Sequence, residues 1–495
     1  MSFYSNYFTW GKSIYLREVL DDGTRRNRII KNFAPPLYGP SENEEINKDI
    51  YGTNLRELSV SSIPHAKKII NERKQTGLKT FGYDKWANVF VAQHYDRHEV
   101  ADEWSIDKLS IVTIDIECEV EDGTFPDALR ADQVINIIGL HDTLTAKYYV
   151  FGIGDAYVDK REDCIYIKCD SEKDLLVKFI KLWRTLEPNI VTGWNIEKFD
   201  IPYLMNRITK VSGDEAVAKR LSPFNFVTSQ TATDGYGNEF QSYDIKGISI
   251  IDYMIIYKKL ELSPRSSYSL DYIANIDLGK EKLKHETGIP GHLLYREHFP
   301  DAVEYNFVDV ELVVELEKKK RLIETSCIIA YSAMVNVQDT LSQIRVWDNI
   351  LYMQLQDDNI HFKIDIESRS KVPFEGAYVK PTISGYYEWV VTVDVTSEYP
   401  SLMRALNISP EKLIENFNMD SSVWNYLNRN VDTSEAIEKG YTVGANGTCF
   451  KKDKDGIIPK AVRIKFAERK KYQAKMFEAE HKLEAVKAEM LRRGI

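Results

Sequence analysis

Residues 110–152 carry three short apolar runs: Ser110-Ile111-Val112-Thr113-Ile114, Val134-Ile135-Asn136-Ile137-Ile138-Gly139 and Lys147-Tyr148-Tyr149-Val150-Phe151-Gly152. Runs this short, rich in β-branched and aromatic residues and bounded by polar breaks, read as buried strands. A break at Asp163 precedes a further strand, and then Leu175, Leu176, Phe179, Ile180, Leu182 and Trp183 recur at helical spacing. Several strands followed by a helix predict a mixed sheet, in a chain whose domains are of α/β and α+β class. With 495 residues the chain exceeds a single core, so two to four domains are expected.

Further punctuation follows the same logic. Asp234-Gly235-Tyr236-Gly237-Asn238 predicts a hairpin turn, residues 311–323 a charged helix, and Val390-Val391-Thr392-Val393 a buried strand. From Lys465 a long helix is expected, with Met476, Phe477, Leu483, Val486 and Met490 as its apolar positions. The N-terminal stretch mixes Trp10, Lys12, Arg17 and Asp21 and has no secretory apolar core, and no run is long enough to span a membrane. Five scattered cysteines (Cys118, Cys164, Cys169, Cys327, Cys449) suit a reducing, cytoplasmic setting and complete no zinc set. A net charge of −10 argues against a protein that coats nucleic acid through a global basic field. It hides a local excess, because residues 460–495 hold 11 Lys and Arg against 5 Glu.

Within the first predicted strand, Thr113-Ile114-Asp115-Ile116-Glu117 places two carboxylates on one face and two isoleucines on the other. Alone, Asp-X-Glu also fits the solvent face of an amphipathic strand. Asp200, in Phe199-Asp200-Ile201-Pro202-Tyr203-Leu204, sits among apolar residues at a loop-to-helix transition, where helix capping is the simpler role. Tyr305 and Asp309, four apart on a helix, present a phenol and a carboxylate on one face. Taken together, Asp-X-Glu, Asn195-X4-Asp200 and Tyr305-X3-Asp309 supply enough hard oxygen ligands for two Mg²⁺ or Mn²⁺ ions. Such a pair can activate water against a phosphodiester, so the set predicts a metal-dependent nuclease.

These three motifs resemble the exonuclease motifs of the DnaQ-like (RNase H-like) proofreading domains of family B DNA polymerases. Thr192-Gly193-Trp194-Asn195, Lys219-Arg220-Leu221-Ser222-Pro223 and Ser267-Tyr268-Ser269-Leu270-Asp271-Tyr272-Ile273 are similar to the replicative polymerases of T-even-type tailed phages. The likeness runs from about Ser13 to the C-terminus and is weakest before residue 100. It implies 3′→5′ proofreading, with Asp115, Glu117, Asp200 and Asp309 as metal ligands and Tyr305 orienting the attacking water or the scissile phosphate. Asn195 would contact DNA, and the 234–238 hairpin would help to separate the primer end.

Val393-Asp394-Val395-Thr396-Ser397-Glu398-Tyr399-Pro400-Ser401 resembles polymerase motif A of the same family. The resemblance implies that Asp394 binds the catalytic metals and that Ser397, Glu398 and Tyr399 lie at the dNTP, with Tyr399 under the sugar. Gly376 and Tyr378 would track the DNA template, and Arg469 would bind the triphosphate. Gln473 departs from an expected lysine, although Lys471 and Lys475 are near. Glu398 departs from an expected apolar residue, so it should turn into the palm or pair with a cation. An Asp-Thr-Asp motif C, the motif B helix and the thumb do not occur in these residues.

The expected organisation is an N-terminal domain over 1–104, with 335–370 packing back on it, then an exonuclease domain over 105–334. A partial palm over 371–459 and the first half of the fingers over 460–495 would follow. The expected role is the N-terminal subunit of a split phage polymerase in the infected bacterial cytoplasm. It would act on primer-template DNA and a single-stranded 3′ end. A second chain would supply motifs B and C and the thumb, and a sliding clamp would be reached through that chain. A stand-alone exonuclease with a vestigial palm, or a nucleic-acid-binding regulatory fragment, are the alternatives.

Overall fold

The structure is a computed structural model that describes residues 2–120, 126–154, 162–233, 237–261, 263–280, 295, 298–364, 379–415, 424–425, 428–444 and 446–493. The chain divides into two compact units. One is formed by residues 1–35, 59–72 and 84–349, the other by residues 36–58, 73–83 and 350–495.

The first unit opens with an antiparallel sheet of β1 (Phe3–Trp10), β2 (Ser13–Val19) and β3 (Arg25–Ile30). Its second, larger sheet contains β4 (Ile111–Cys118), β5 (Ile135–Asp142), β6 (Lys147–Gly152), β7 (Cys164–Lys168), β8 (Ile190–Gly193) and β11 (Ser249–Asp252). The strand order is β7-β6-β5-β4-β8-β11. β5 lies antiparallel to β4 and β6, whereas the β7–β6, β4–β8 and β8–β11 pairs are parallel. The mixed sheet expected from the sequence is therefore present. Arg17 of β2, fully buried, donates to the carbonyls of Glu187 at 2.7 Å, Gly247 at 3.1 Å and Pro188, which ties the small sheet to the large one.

Helices cover both faces of the large sheet. On one face lie α1 (Glu172–Leu186) and α2 (Asp200–Ser212), where Leu175, Phe179, Trp183, Leu204 and Ile208 pack on Ile114 and Ile116. α1 starts where Ser171 accepts a bond from the Asp174 N–H at 3.3 Å, and Glu172 and Asp174 in its first turn suit the helix dipole. β9 (Val227–Thr233) pairs with β10 (Glu239–Ile245) on either side of the expected turn, of which residues 234–236 lie outside the described residues. After β11 come α3 (Tyr253–Leu260) and α4 (Leu270–Leu278).

The opposite face is covered by α5 (Phe299–Lys320), whose Ala302, Val303, Phe307, Val310 and Val314 pack on Ile137, Tyr148 and Val150. Pro300 stands in its first turn and Lys318, Lys319 and Lys320 in its last, both favourable placements. Arg321, at φ 54°, breaks the helix before α6 (Leu322–Ala333). The charged helix expected over 311–323 is therefore divided: residues 311–320 end α5, and 322–323 open α6.

The second unit holds α7 (Glu398–Ala405), the antiparallel pair β12 (Tyr441–Val443) and β13 (Cys449–Lys451), and α8 (Ile457–Arg493). Asn407 organises this region, donating to the Lys451 and Lys454 carbonyls at 2.6 and 3.1 Å and accepting from the Gly456 N–H at 2.8 Å. Two expectations are corrected here. The long helix begins at Ile457, eight residues before the predicted start, because Gly456 and the Ser409 and Glu411 side chains receive its first turn. The predicted buried strand at 390–393 is irregular and open, with Val390 72%, Val391 82% and Val393 86% exposed. Its apolar pattern expresses a need for burial, and a strand forms only where a neighbouring backbone takes up its hydrogen bonds. Among the described residues no strand pairs with it. None of the five cysteines forms a disulfide, and among the described residues no helix is long and apolar enough to cross a membrane.

Candidate active site

The pleat of β4 sets the site. Val112, Ile114 and Ile116 point into the α1/α2 core, which turns Asp115 and Glu117 toward α5. There Asp309 comes down from the helix, and one carboxylate oxygen from each of Asp115, Glu117 and Asp309 lies within 4.8 Å of the others. Asp309 is buried and the other two are half-buried. At that spacing each carboxylate pair repels by roughly 3–4 kcal/mol for an effective dielectric near 20. A hard divalent cation removes that repulsion, and an all-oxygen donor set fits Mg²⁺ or Mn²⁺.

Asp200 takes a different position from the other three. It is the first residue of α2, is 4% exposed, and accepts a bond at 3.1 Å from the Ile116 N–H, between Asp115 and Glu117 in the chain. It therefore does not act as the cap of its own helix, because its oxygen is turned to β4. Burial pushes its pKa up to about 7, opposed by the Ile116 N–H and reinforced by the Asp252 and Asp309 carboxylates. Tyr305 stands one turn before Asp309 on α5, half-buried.

Two residues that support this set escaped the sequence reading. Asn306, fully buried, donates from Nδ2 to the Asp115 carboxylate at 2.8 Å and to the Asp115 carbonyl at 3.2 Å. Opposite Asp115 on β5 is Gly139, and a Cβ there would lie 2.1 Å from Asn306 Oδ1. The glycine lets α5 close on the strand. The signal was present as spacing, since Asn306 and Asp309 are three apart and share a helical face. Asp252, at the end of β11, accepts from the N–H groups of Asn195 at 3.2 Å and Glu197 at 3.1 Å. Burial raises its pKa to about 6 against those bonds. Asn195 itself lies in the left-handed region at φ 63°, a backbone reason for asparagine in the turn that leads to Asp200.

The residues expected around a nucleotide occupy the second unit. Asp394 is exposed in an irregular segment, Ser397 has φ 52°, and Glu398 and Tyr399 begin α7 exposed to solvent. Arg469 on α8 donates to Ser397 Oγ at 3.0 Å, so these two are brought together. Glu398 neither turns inward nor forms an ion pair among the described residues. It sits in the first turn of a helix, where the dipole favours a carboxylate. Gly376 and Tyr378 lie outside the described residues.

The family model for "DNA polymerase family B, exonuclease domain" matches residues 64–273, and that for "DNA polymerase family B" matches residues 333–490. The chain is 30% identical to the DNA-directed DNA polymerase of Escherichia phage RB69, over 98% of this chain and 55% of that protein. It is 29% identical to the DNA-directed DNA polymerase of Enterobacteria phage T4, again over 98% of this chain and 55% of the relative. It is also 30% identical to the DNA polymerase catalytic subunit of Saimiriine herpesvirus 2 (strain 11), over 66% of this chain and 33% of that protein. The chain thus spans about half the length of the two phage relatives.

Proposed function

Because the chain belongs to the T-even-type phage branch of DNA polymerase family B, we propose that it carries a metal-dependent 3′→5′ proofreading exonuclease and the first part of a DNA polymerase site. The observation that carries this reading is the convergence of Asp115, Glu117 and Asp309 between β4 and α5.

Asp115, Glu117 and Asp309 would hold the metals, with Asp200 completing the set from the start of α2. Two Mg²⁺ or Mn²⁺ ions, when bound, supply an activated water and neutralise charge on the phosphodiester. The protein's own part is to place groups. Asn306 fixes the Asp115 carboxylate, Tyr305 orients the water or the scissile phosphate, and Asn195 meets the single-stranded 3′ end. Residues 105–334 form the exonuclease domain in this reading, and residues 1–104 with 335–370 the N-terminal domain. Residues 371–459 and 460–495 belong to the palm and the fingers.

In the polymerase part, Asp394 is the metal ligand and Ser397, Glu398, Tyr399 and Arg469 receive the dNTP, while Gly376 and Tyr378 track the template. DNA synthesis also needs the motif C carboxylates, since positioning and metal electrostatics carry phosphoryl transfer. These would come from polypeptide outside the 495 residues. A second chain is one form of that supply, with the sliding clamp reached through it.

The test uses single-stranded DNA labelled at either end. In Mg²⁺ the chain should shorten DNA from the 3′ end, stop in chelator, and lose activity with Asp115→Ala plus Asp200→Ala. It should incorporate dNTPs only when the missing motifs are added. Trimming that survives the double substitution overturns the site. Incorporation by the chain alone overturns the division of the polymerase site.

A further inference from the structure

Asp252 uses one carboxylate for two purposes. It closes β11 and is 1% exposed. Its Oδ1 accepts from the Met254 and Ile255 N–H groups at 3.0 and 3.3 Å, which caps α3. The same oxygen accepts from the Asn195 N–H at 3.2 Å, and Oδ2 accepts from the Glu197 N–H at 3.1 Å. A helix cap needs only the first pair. The second pair reaches a turn that begins with Asn195 in a left-handed conformation. The Glu197 side chain is held too, accepting from Ser242 Oγ of β10 at 3.1 Å. Three residues beyond Glu197, Asp200 directs its carboxylate at the Ile116 N–H of β4.

We propose that Asp252 is a positioning residue of the nuclease: by bonding the Asn195 and Glu197 N–H groups it fixes the turn that delivers Asp200 beside Asp115, Glu117 and Asp309. The proposal rests on the exonuclease reading above. Asp252 touches no reacting atom: its hydrogen bonds act through the backbone of 195–200, and hydrogen exchange there separates that action from the pull of its charge on Asp200.

Asp252→Asn separates the two purposes. With its oxygen in the place of Oδ1, the amide still caps α3 and still meets Asn195, while its NH₂ faces the Glu197 N–H, donor against donor. The reverse orientation would oppose three donors instead of one. The thermal midpoint should therefore fall less in Asp252→Asn, which leaves one buried donor pair opposed, than in Asp252→Ala, which loses the cap as well. Hydrogen exchange across residues 194–199 should accelerate in Asp252→Asn. The rate of 3′-nucleotide release at saturating Mg²⁺ should fall about 10- to 100-fold, with the KM for DNA little changed.

Unchanged exchange in Asp252→Asn overturns the proposal, and so does faster exchange with a wild-type rate at saturating Mg²⁺. If the wild-type protein releases no nucleotide, the exonuclease reading fails. Exchange in the same variant then decides the claim about the turn.

Discussion

Asp115 depends on a residue that no carboxylate motif contains. Asn306 bonds both its side chain and its carbonyl, and Gly139 leaves the space for that amide. Asn306→Ala should slow 3′-end hydrolysis about 10- to 100-fold, as loss of a group that orients a metal ligand commonly does. It should also destabilise the protein by about 1–3 kcal/mol through the buried hydrogen bonds it removes. Gly139→Ala should act in the same direction, because its Cβ would displace the Asn306 amide, at a cost of about 1–3 kcal/mol for overpacking. Urea unfolding midpoints and initial rates check both. If both variants behave as wild type, the amide does not hold the carboxylate. Asp115 and Glu117 were legible in the sequence because a period of two assigns faces locally. Asn306 and Asp252 were not, because their partners lie 191 and 57 residues away along the chain.

At the scale of elements, β5 and α5 frame the site and carry a pH-sensitive group of their own. His141 of β5 is buried, rests on Tyr148 with ring centroids 4.5 Å apart, and feels the Lys318 charge at the end of α5. Burial first, and then Lys318, lower its pKa to about 4, against nearby Asp142 and Asp163. The folded pKa lies below the unfolded value near 6.5, so the unfolded chain binds more protons between those values. The contribution of His141 is therefore present above pH 6.5 and is lost as pH falls toward 4, up to roughly 3 kcal/mol. Urea unfolding of wild type and His141→Gln from pH 7.5 to 4.5 should show the wild type losing more stability on acidification. Parallel curves would contradict this. The strands and α1 were readable because each buries its own pattern. The start of α8 was missed because its first turn is received by Ser409 and Glu411, about 46–49 residues earlier in the chain.

At the scale of the whole molecule, Asp115, Glu117 and Asp309 come together within one compact unit, whereas Asp394 remains in an exposed segment. Val390, Val391 and Val393 read as a buried strand, yet no strand pairs with them among the described residues, so their pattern was legible and their burial was not. If the rest of the polymerase site covers them, hydrogen exchange over 389–395 should be fast in this chain alone and should slow when polypeptide carrying the missing motifs is added. Equal exchange in both conditions would separate this segment from polymerase assembly. The proposed nuclease depends most on Asp309, the acid that α5 brings down onto β4. The direct measurement is the initial rate of 3′-terminal nucleotide release from single-stranded DNA in saturating Mn²⁺, for wild type and Asp309→Asn. A fall of roughly 10²–10³-fold is expected for losing a charge placed at the reacting phosphate. A rate within about threefold of wild type would contradict the assignment of Asp309 to the reacting site.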